Sequence, residues 1–467
     1  MSAASNVNYW SSSEWSGAGY AFNVNFNNNG NLNFERNNDK SNAFRVRPVL
    51  AYRLDEERKK KRMNNEMMTA TIPLADMIGA ARRTLVGKRA TVEAQEYEYA
   101  FYRNCVEQCR EVNSRNYHTS RYIVFISTRP VVREIFGSHI RDRVIDTLIV
   151  SYILPCVEQV LVDDNYSTRV GKGTLYGVRR MEQMIRRVSC NYTCDCYILK
   201  NDIWSFFMSI EKQRAYQVWE QLFAEHYHEP NAPLLLYLLR VIIFDRPELH
   251  CVRKGRRSDW KPLPPHKSMF NSDGRHGLII GKVISQLTAL LILNIIDQFL
   301  IARCGVPDNG HYMDDRVTVH RSLERLRLLR TEMDEAHRSI GLMTHPHKTY
   351  LQHYSKGVLF AGAMILPGRS YVSRRTIANC FRRLEQFNQG AEQSPRYCHR
   401  HVREFCEVMN SYLGQMGHFA EWNTVHRLIG EIHPSWFGVM NVVARRGRYH
   451  VATCRPMYSS RLRLAVA

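Results

Sequence analysis

The sequence predicts a mixed α/β (α+β) chain. Two short apolar strand candidates, Tyr122–Ser127 and Tyr197–Ile203, are embedded among long helical stretches. Two hairpin candidates follow, an alternating one at His311–His320 and a second formed by Gly357–Ile365 with Arg369–Ser373. The last part of the chain is helical. The 467 residues correspond to about three structural units. Lys and Arg number 65 against 44 Asp and Glu, a formal charge of +21. A surplus of that size points to a polyanionic partner, most simply nucleic acid. Hydrophobic residues at 44% and aromatics at 11% suffice for a core and exclude a wholly disordered chain.

Each element has its own justification. Twelve of the first 48 residues are Asn, with Ser, Gly and isolated aromatics between them, so residues 1–62 are expected to lack fixed structure. That segment ends in a charged connector, Asp55–Arg62. Ala75–Val112 and Ile140–Val160 read as helices, and Tyr197–Ile203 as a buried strand leading into an aromatic turn. Arg214–Phe244 is helical, and Lys282–Arg303 is a long apolar helix opened by Gly281. Ser322–Ile340, Arg374–Asn388, Arg400–Gln415 and Thr424–Ile432 complete the helices. No repeat of 20–50 residues is visible.

Leu234–Phe244 is interrupted by Arg240, and Leu287–Ile301 carries Asn294 and Asp297. Neither supplies the ~20 apolar residues of a spanning helix, so no membrane is expected as a partner. The N-terminus has no apolar secretory region. Twelve scattered cysteines fit reduced, intracellular thiols. Cys190, Cys194 and Cys196, and Cys398, His399, His401 and Cys406, lack the paired spacing of zinc ligands.

Three segments carry chemistry. Tyr312-Met313-Asp314-Asp315 sets adjacent carboxylates at the tip of a hairpin, and hard oxygen ligands of that kind suit Mg²⁺. Roughly 110 residues upstream, Ile198-Leu199-Lys200-Asn201-Asp202-Ile203 is an apolar strand ending in one carboxylate, with Phe207 five residues beyond it. Between them, Gly277-Leu278-Ile279-Ile280-Gly281-Lys282 with Ser285-Gln286 is a glycine turn into an apolar helix. At Gly281 the absent side chain permits close backbone approach to a nucleotide or template base. Each segment alone has a plain alternative: a solvated Asp-Asp turn, a strand-end cap, a simple helix start.

In this order the segments resemble the reverse transcriptase family, over about residues 68–465. Further matches are Arg133-Glu134-Ile135-Phe136 with Asp142-Arg143, the loop Tyr166–Thr174, His345-Pro346-His347-Lys348-Thr349, Gly357–Gly362 and Asn410–Gly414. The resemblance implies a right-hand polymerase. Residues 63–372 would form fingers and an antiparallel palm sheet, and 373–467 a helical thumb and tail. It implies two Mg²⁺ ions, with Mn²⁺ as a possible substitute, held by Asp202, Asp314, Asp315 and the Ile203 carbonyl. Phe207, Arg133, Lys172, Ile280, Gly281 and Lys348 would meet the incoming deoxynucleoside triphosphate. Arg143, Arg169, Ser285, Gln286, Tyr312, Met313 and Gly362 would meet template RNA and the cDNA primer.

Ile280 before Gly281 and Gln286 after Ser285 narrow the resemblance to reverse transcriptases of diversity-generating retroelements, although Ile279 and Lys282 stand where many relatives have Pro and Asn. Those enzymes copy a template-repeat RNA with errors at adenines, in the bacterial cytoplasm, alongside a basic oligomeric accessory protein. Asn codons begin with two adenines, so residues 1–49 are expected to be such a repeat read in frame. An ordinary retron or group II intron-like reverse transcriptase is the first alternative. A non-catalytic RNA-binding protein is the second, and the three acids at 202, 314 and 315 argue against it.

Overall fold

The computed structural model describes residues 8–14, 20–26, 32–39, 71–128, 131–445 and 447–454. The chain divides into two compact units, Met1–Ala70 and Thr71–Ala467. In the first, β1 (Asn8–Glu14), β2 (Tyr20–Phe26) and β3 (Leu32–Asp39) form an antiparallel sheet in the order β1-β2-β3. This departs from the expected lack of structure. Tyr20, Phe22, Val24 and Phe26 occupy alternate positions, a strand pattern that bulk composition averages away. The connector Asp55–Arg62 lies outside the described residues, as does 455–467.

In the second unit, the stretch expected as one helix over Ala75–Val112 is three: Leu74–Leu85, Val92–Tyr99 and Phe101–Asn113. Gly87, at φ +72°, turns the chain after the first. Met77, Ala80, Ala81 and Leu85 bury one face in the same core as Val144, Ile145 and Leu148 of the helix Ile140–Val160. Small alanines let the two backbones approach closely.

In chain order come β4 (Tyr122–Ser127), β5 (Arg133–Gly137), β6 (Tyr197–Asn201) and β7 (Cys251–Arg253). β4 pairs antiparallel with β5 and parallel with β7. The carboxylate of Glu134 fastens a loop to this small sheet, accepting from Trp260 Nε1 at 2.6 Å, Ser268 Oγ at 2.9 Å and Met269 N at 2.6 Å.

β6 belongs to a second sheet with β8 (Asn309–Tyr312), β9 (Asp315–His320) and β10 (Tyr350–His353), in the order β10-β6-β9-β8, all antiparallel. Both faces are covered. Ile198 joins Val317 and Val319 under the helix Thr174–Val188, and Leu199 joins the core of the helix Val283–Gln298. Successive strand residues point to opposite faces, so one strand serves two cores.

The helix Val283–Gln298 runs on through Phe299–Arg303 and is long and apolar enough to cross a membrane by length and composition, contrary to the shorter stretch expected. Two-thirds of its apolar window is buried inside the protein, as suits a core helix.

Beyond β10 come β11 (Val358–Phe360), β12 (Ala363–Leu366) and β13 (Arg369–Val372), an antiparallel meander. Helices Arg374–Gln393, Pro395–Met416 and Trp422–Gly430 then build a separate core around Phe387, Phe405 and Trp436, with Phe405 stacked on Trp436 at 4.1 Å. An unexpected hairpin, β14 (Met440–Arg445) with β15 (Arg448–Thr453), packs on this core. The structure is thus a mixed α/β fold with small, mainly antiparallel sheets.

Candidate active site

The register of the second sheet assembles the acids. Asn201 at the end of β6 pairs with Arg316 near the start of β9, so Asp202 arrives beside the turn that joins β8 to β9. Met313 takes φ +54° in that turn, a left-handed conformation uncommon outside glycine. Burial, then the charge of Asp202, push the Asp314 carboxyl up to about 6. Asp315 adds to the rise, whereas the Asp314 backbone amide and the charge of Arg133 oppose it. The charges of two carboxylates from distant parts of the chain therefore act on one another, and their repulsion is incompletely offset.

The neighbouring acid is placed differently. Asp315 Oδ1 lies 3.0 Å from Lys200 Nζ, and its Oδ2 accepts from the Ala361 amide at 3.1 Å. Lys200, buried on β6, also donates to the Leu359 carbonyl. Asp315 thus ties the hairpin to β6 and to the β11–β12 turn. Among the described residues, no three His, Cys, Asp or Glu side chains gather as a metal-binding group. The structure joins Asp202 to Asp314 and turns Asp315 toward a lysine. The third expected acid, Asp315, still raises the Asp314 carboxyl, while the hairpin pleat directs adjacent side chains to opposite sides.

Exposed Lys348 places Nζ 2.8 Å from Asp202 Oδ2. Backbone bonds seat its loop: His345 N donates to Asp202 O at 2.7 Å, and Trp204 N to Met343 O at 2.8 Å. The Trp204 ring stacks on His266 at 4.9 Å and meets His345 at the same separation. Phe207, half-buried, packs on the core edge beside Phe206, with its carbonyl accepting from Leu278 N at 2.8 Å. The chain at 277–281 therefore runs alongside the aromatic turn.

Gly281, at φ +117°, lies against β5, and a Cβ there would sit 3.2 Å from the Phe136 carbonyl. Phe136 N in turn donates to Ile280 O at 3.3 Å. Lys282 is buried, its Nζ 3.3 Å from Asp146 Oδ1 and 5.7 Å from the Tyr122 ring centroid, and forms an internal charge pair. Ser285 is buried, and Gln286 Oε1 accepts from Thr168 Oγ1 at 3.0 Å.

Other expected contacts are engaged elsewhere. Arg169 pairs with Glu158 at 2.7 Å and donates to the Val162 and Asn165 carbonyls, which makes it a brace within its loop. Lys172 pairs with Asp163 at 2.8 Å. Arg169 finds its acid on the end of the helix Ile140–Val160 and Lys172 finds one in the loop that follows it. Arg143 lies on the helix Ile140–Val160, near the Lys88 and Asp146 charges. Gly362, at φ +86°, closes the β11–β12 turn.

Four further residues, Ser167, Asp297, His311 and Arg316, surround the turn from beneath. Ser167 Oγ accepts from Met313 N at 3.2 Å, and His311 Nδ1 lies 2.9 Å from Met313 O. The sequence signal for this group was Asp297, a charge interrupting an apolar helix.

No protein-family model and no curated protein matches the sequence. Among solved structures, the chain is similar to an apo telomerase from Candida tropicalis truncated from its C-terminal domain. The identity is 13%, the match covers 55% of each chain, and the TM-score is 0.38. The chain thus spans about half the length of that telomerase chain.

Proposed function

We propose that this chain is an RNA-directed DNA polymerase and that Asp202 and Asp314 are the principal acids of its nucleotidyl-transfer site. The observation that carries the reading is the mutual effect of those two carboxylates, with Asp314 pushed above its ordinary value by burial and by the Asp202 charge. Such a pair fits hard divalent cations, Mg²⁺ or in its place Mn²⁺, and a lysine ammonium already lies on Asp202. Asp202, Asp314 and the Ile203 carbonyl would hold the ions, with Asp315 orienting the hairpin. Bound there, such ions would lower the pKa of a primer 3′-hydroxyl and offset charge on a leaving pyrophosphate.

The chain's own residues do the rest. Phe207 underlies the sugar of a deoxynucleoside triphosphate and excludes a 2′-hydroxyl. Arg133, whose charge already reaches Asp314, and Lys348, already beside Asp202, offer cations to the triphosphate. Gly281 lets the backbone approach the template base. The surplus of positive charge gives RNA and the primer a salt-dependent hold.

Within that class the reading is the diversity-generating kind: a cytoplasmic enzyme that copies a template-repeat RNA into adenine-mutated cDNA with a basic oligomeric accessory protein. Ile280 supports it, because an aliphatic side chain offers no hydrogen bond near the incoming base. The test is sequencing of cDNA made on the RNA encoding residues 1–49, with the accessory protein added. Errors gathered at template adenines support the subtype, faithful cDNA leaves an ordinary reverse transcriptase, and absence of cDNA refutes the enzyme.

A further inference from the structure

The geometry points to His311 as a positioning residue. Backed by Asp297 and Arg316, and opposed by Ser167, it holds the Met313 peptide in the left-handed turn that presents Asp314 to Asp202. This inference rests on the nucleotidyl-transfer reading of that acid pair.

A non-glycine residue at φ +54° costs on the order of 1 kcal/mol, so the Met313 turn persists only where its surroundings enforce it. Here both polar groups of the peptide unit are held by buried side chains. Met313 N–H donates to Ser167 Oγ at 3.2 Å, and Met313 C=O faces His311 Nδ1 at 2.9 Å. The other ring nitrogen of His311 lies 2.9 Å from Asp297 Oδ2. A carbonyl and a carboxylate are both acceptors, so the ring spans the two with a nitrogen toward each.

Asp297 receives a second cation, with Arg316 Nη2 2.6 Å from its Oδ1, and Arg316 Nη1 donates to Asn309 Oδ1 at 2.9 Å. The side chains of Asp297 and His311 have no exposed surface. Burial pushes the Asp297 carboxyl up, but the Arg316 and His311 charges and their hydrogen bonds outweigh it and hold the group below its ordinary value. The clamp therefore fixes the turn through buried hydrogen bonds and one ion pair.

The mechanical links are specific. Asp297 anchors the ring to the core helix Val283–Gln298. The neighbouring loop is bonded to β8, since Tyr166 N donates to His311 O and His311 N to Asp164 O, each at 3.0 Å. Glutamine at 311 would carry a donor for only one of the two acceptors. Either the half-buried Met313 carbonyl or one fully buried Asp297 oxygen would lose its partner.

The test compares the full-length wild type with His311→Gln and Ser167→Ala. Each is assayed for Mn²⁺ binding by electron paramagnetic resonance without substrate, for single-nucleotide incorporation on primed RNA, and for thermal midpoint. In His311→Gln, Mn²⁺ affinity and kcat should fall by about 10–100-fold, the range for residues that orient metal ligands. RNA affinity should stay within about twofold, because phosphate contacts across the basic surface supply most of it. Ser167→Ala should move the same quantities less, at an unchanged midpoint. Wild-type Mn²⁺ affinity and kcat in His311→Gln overturn the inference. If that variant does not fold, Ser167→Ala decides: a lowered Mn²⁺ affinity in a folded protein supports the clamp, and an unchanged one overturns it. A wild type that binds Mn²⁺ but incorporates no nucleotide sinks the polymerase reading alone, and the Mn²⁺ comparison still judges the clamp.

Discussion

Two groups of charges lie on opposite sides of the Tyr312–Asp315 turn. Beneath it, Asp297 is matched by Arg316 at 2.6 Å and His311 at 2.9 Å, sealed from solvent. Above it, Asp202 and Asp314 face each other, and the charge nearest to hand is the exposed ammonium of Lys348. A protein gains nothing in stability from pressing two carboxylates together. The lower group is thus matched within the fold, whereas the upper pair carries a repulsion that a bound cation would relieve. Asp315 belongs with the lower group, since Lys200 and the Ala361 amide occupy its two oxygens.

The same substitution on the two sides should act in opposite directions. Asp297→Asn strands two buried cations and should destabilise the chain by about 3–5 kcal/mol, read as a lower denaturation midpoint. Asp314→Asn removes repulsion and should stabilise the metal-free protein near pH 7, on the order of 1–2 kcal/mol after allowance for its partial exposure. Equal loss in both variants would erase the contrast.

A pH series sharpens it. The folded-state carboxyl of Asp314 lies above its unfolded value, at about 6. Its protonated form is therefore favoured by folding, and that contribution is complete below the ordinary carboxylate range. It fades as pH rises through about 6, so metal-free protein should lose stability over that interval. Asp314→Asn should flatten this part of the profile, and millimolar Mg²⁺ should restore the midpoint in wild type only.

Smaller effects remain. Lys348→Met removes an exposed pair and should change stability by less than about 1 kcal/mol while slowing incorporation, measured by rapid-quench kinetics. Ile280→Gln should lower errors at template adenines by about two- to tenfold, the worth of one restored hydrogen bond, in sequenced cDNA. An unchanged error spectrum would move the source of infidelity elsewhere.

Much of the site was legible because local pattern and chemistry coincide there. β6 and the β8–β9 hairpin carry apolar residues up to the acids, so both strands and their polar ends could be read in one dimension. Asp297 was visible as an interruption in an apolar helix, but its partners His311 and Arg316 are set by register across the sheet, which no local window contains. Lys200 was hidden for the same reason: a lysine in a strand reads as exposed until the hairpin brings Asp315 to it. The helix Thr174–Val188 escaped notice although Val178, Met181, Ile185 and Val188 follow helical spacing, since Gly177 and four arginines obscure it. That glycine is required by packing, because a Cβ there would lie 2.7 Å from the Tyr166 ring. The N-terminal strands were lost to composition, in which Asn outweighed the alternating aromatics.

The most direct measurement is primer extension on an RNA template in Mg²⁺, comparing wild type with Asp314→Asn at matched RNA occupancy. The account predicts extension by the wild type, and a loss of at least about a hundredfold in the variant with RNA binding intact. Equal extension by both proteins, or none by a wild type that holds the primed RNA, would contradict it.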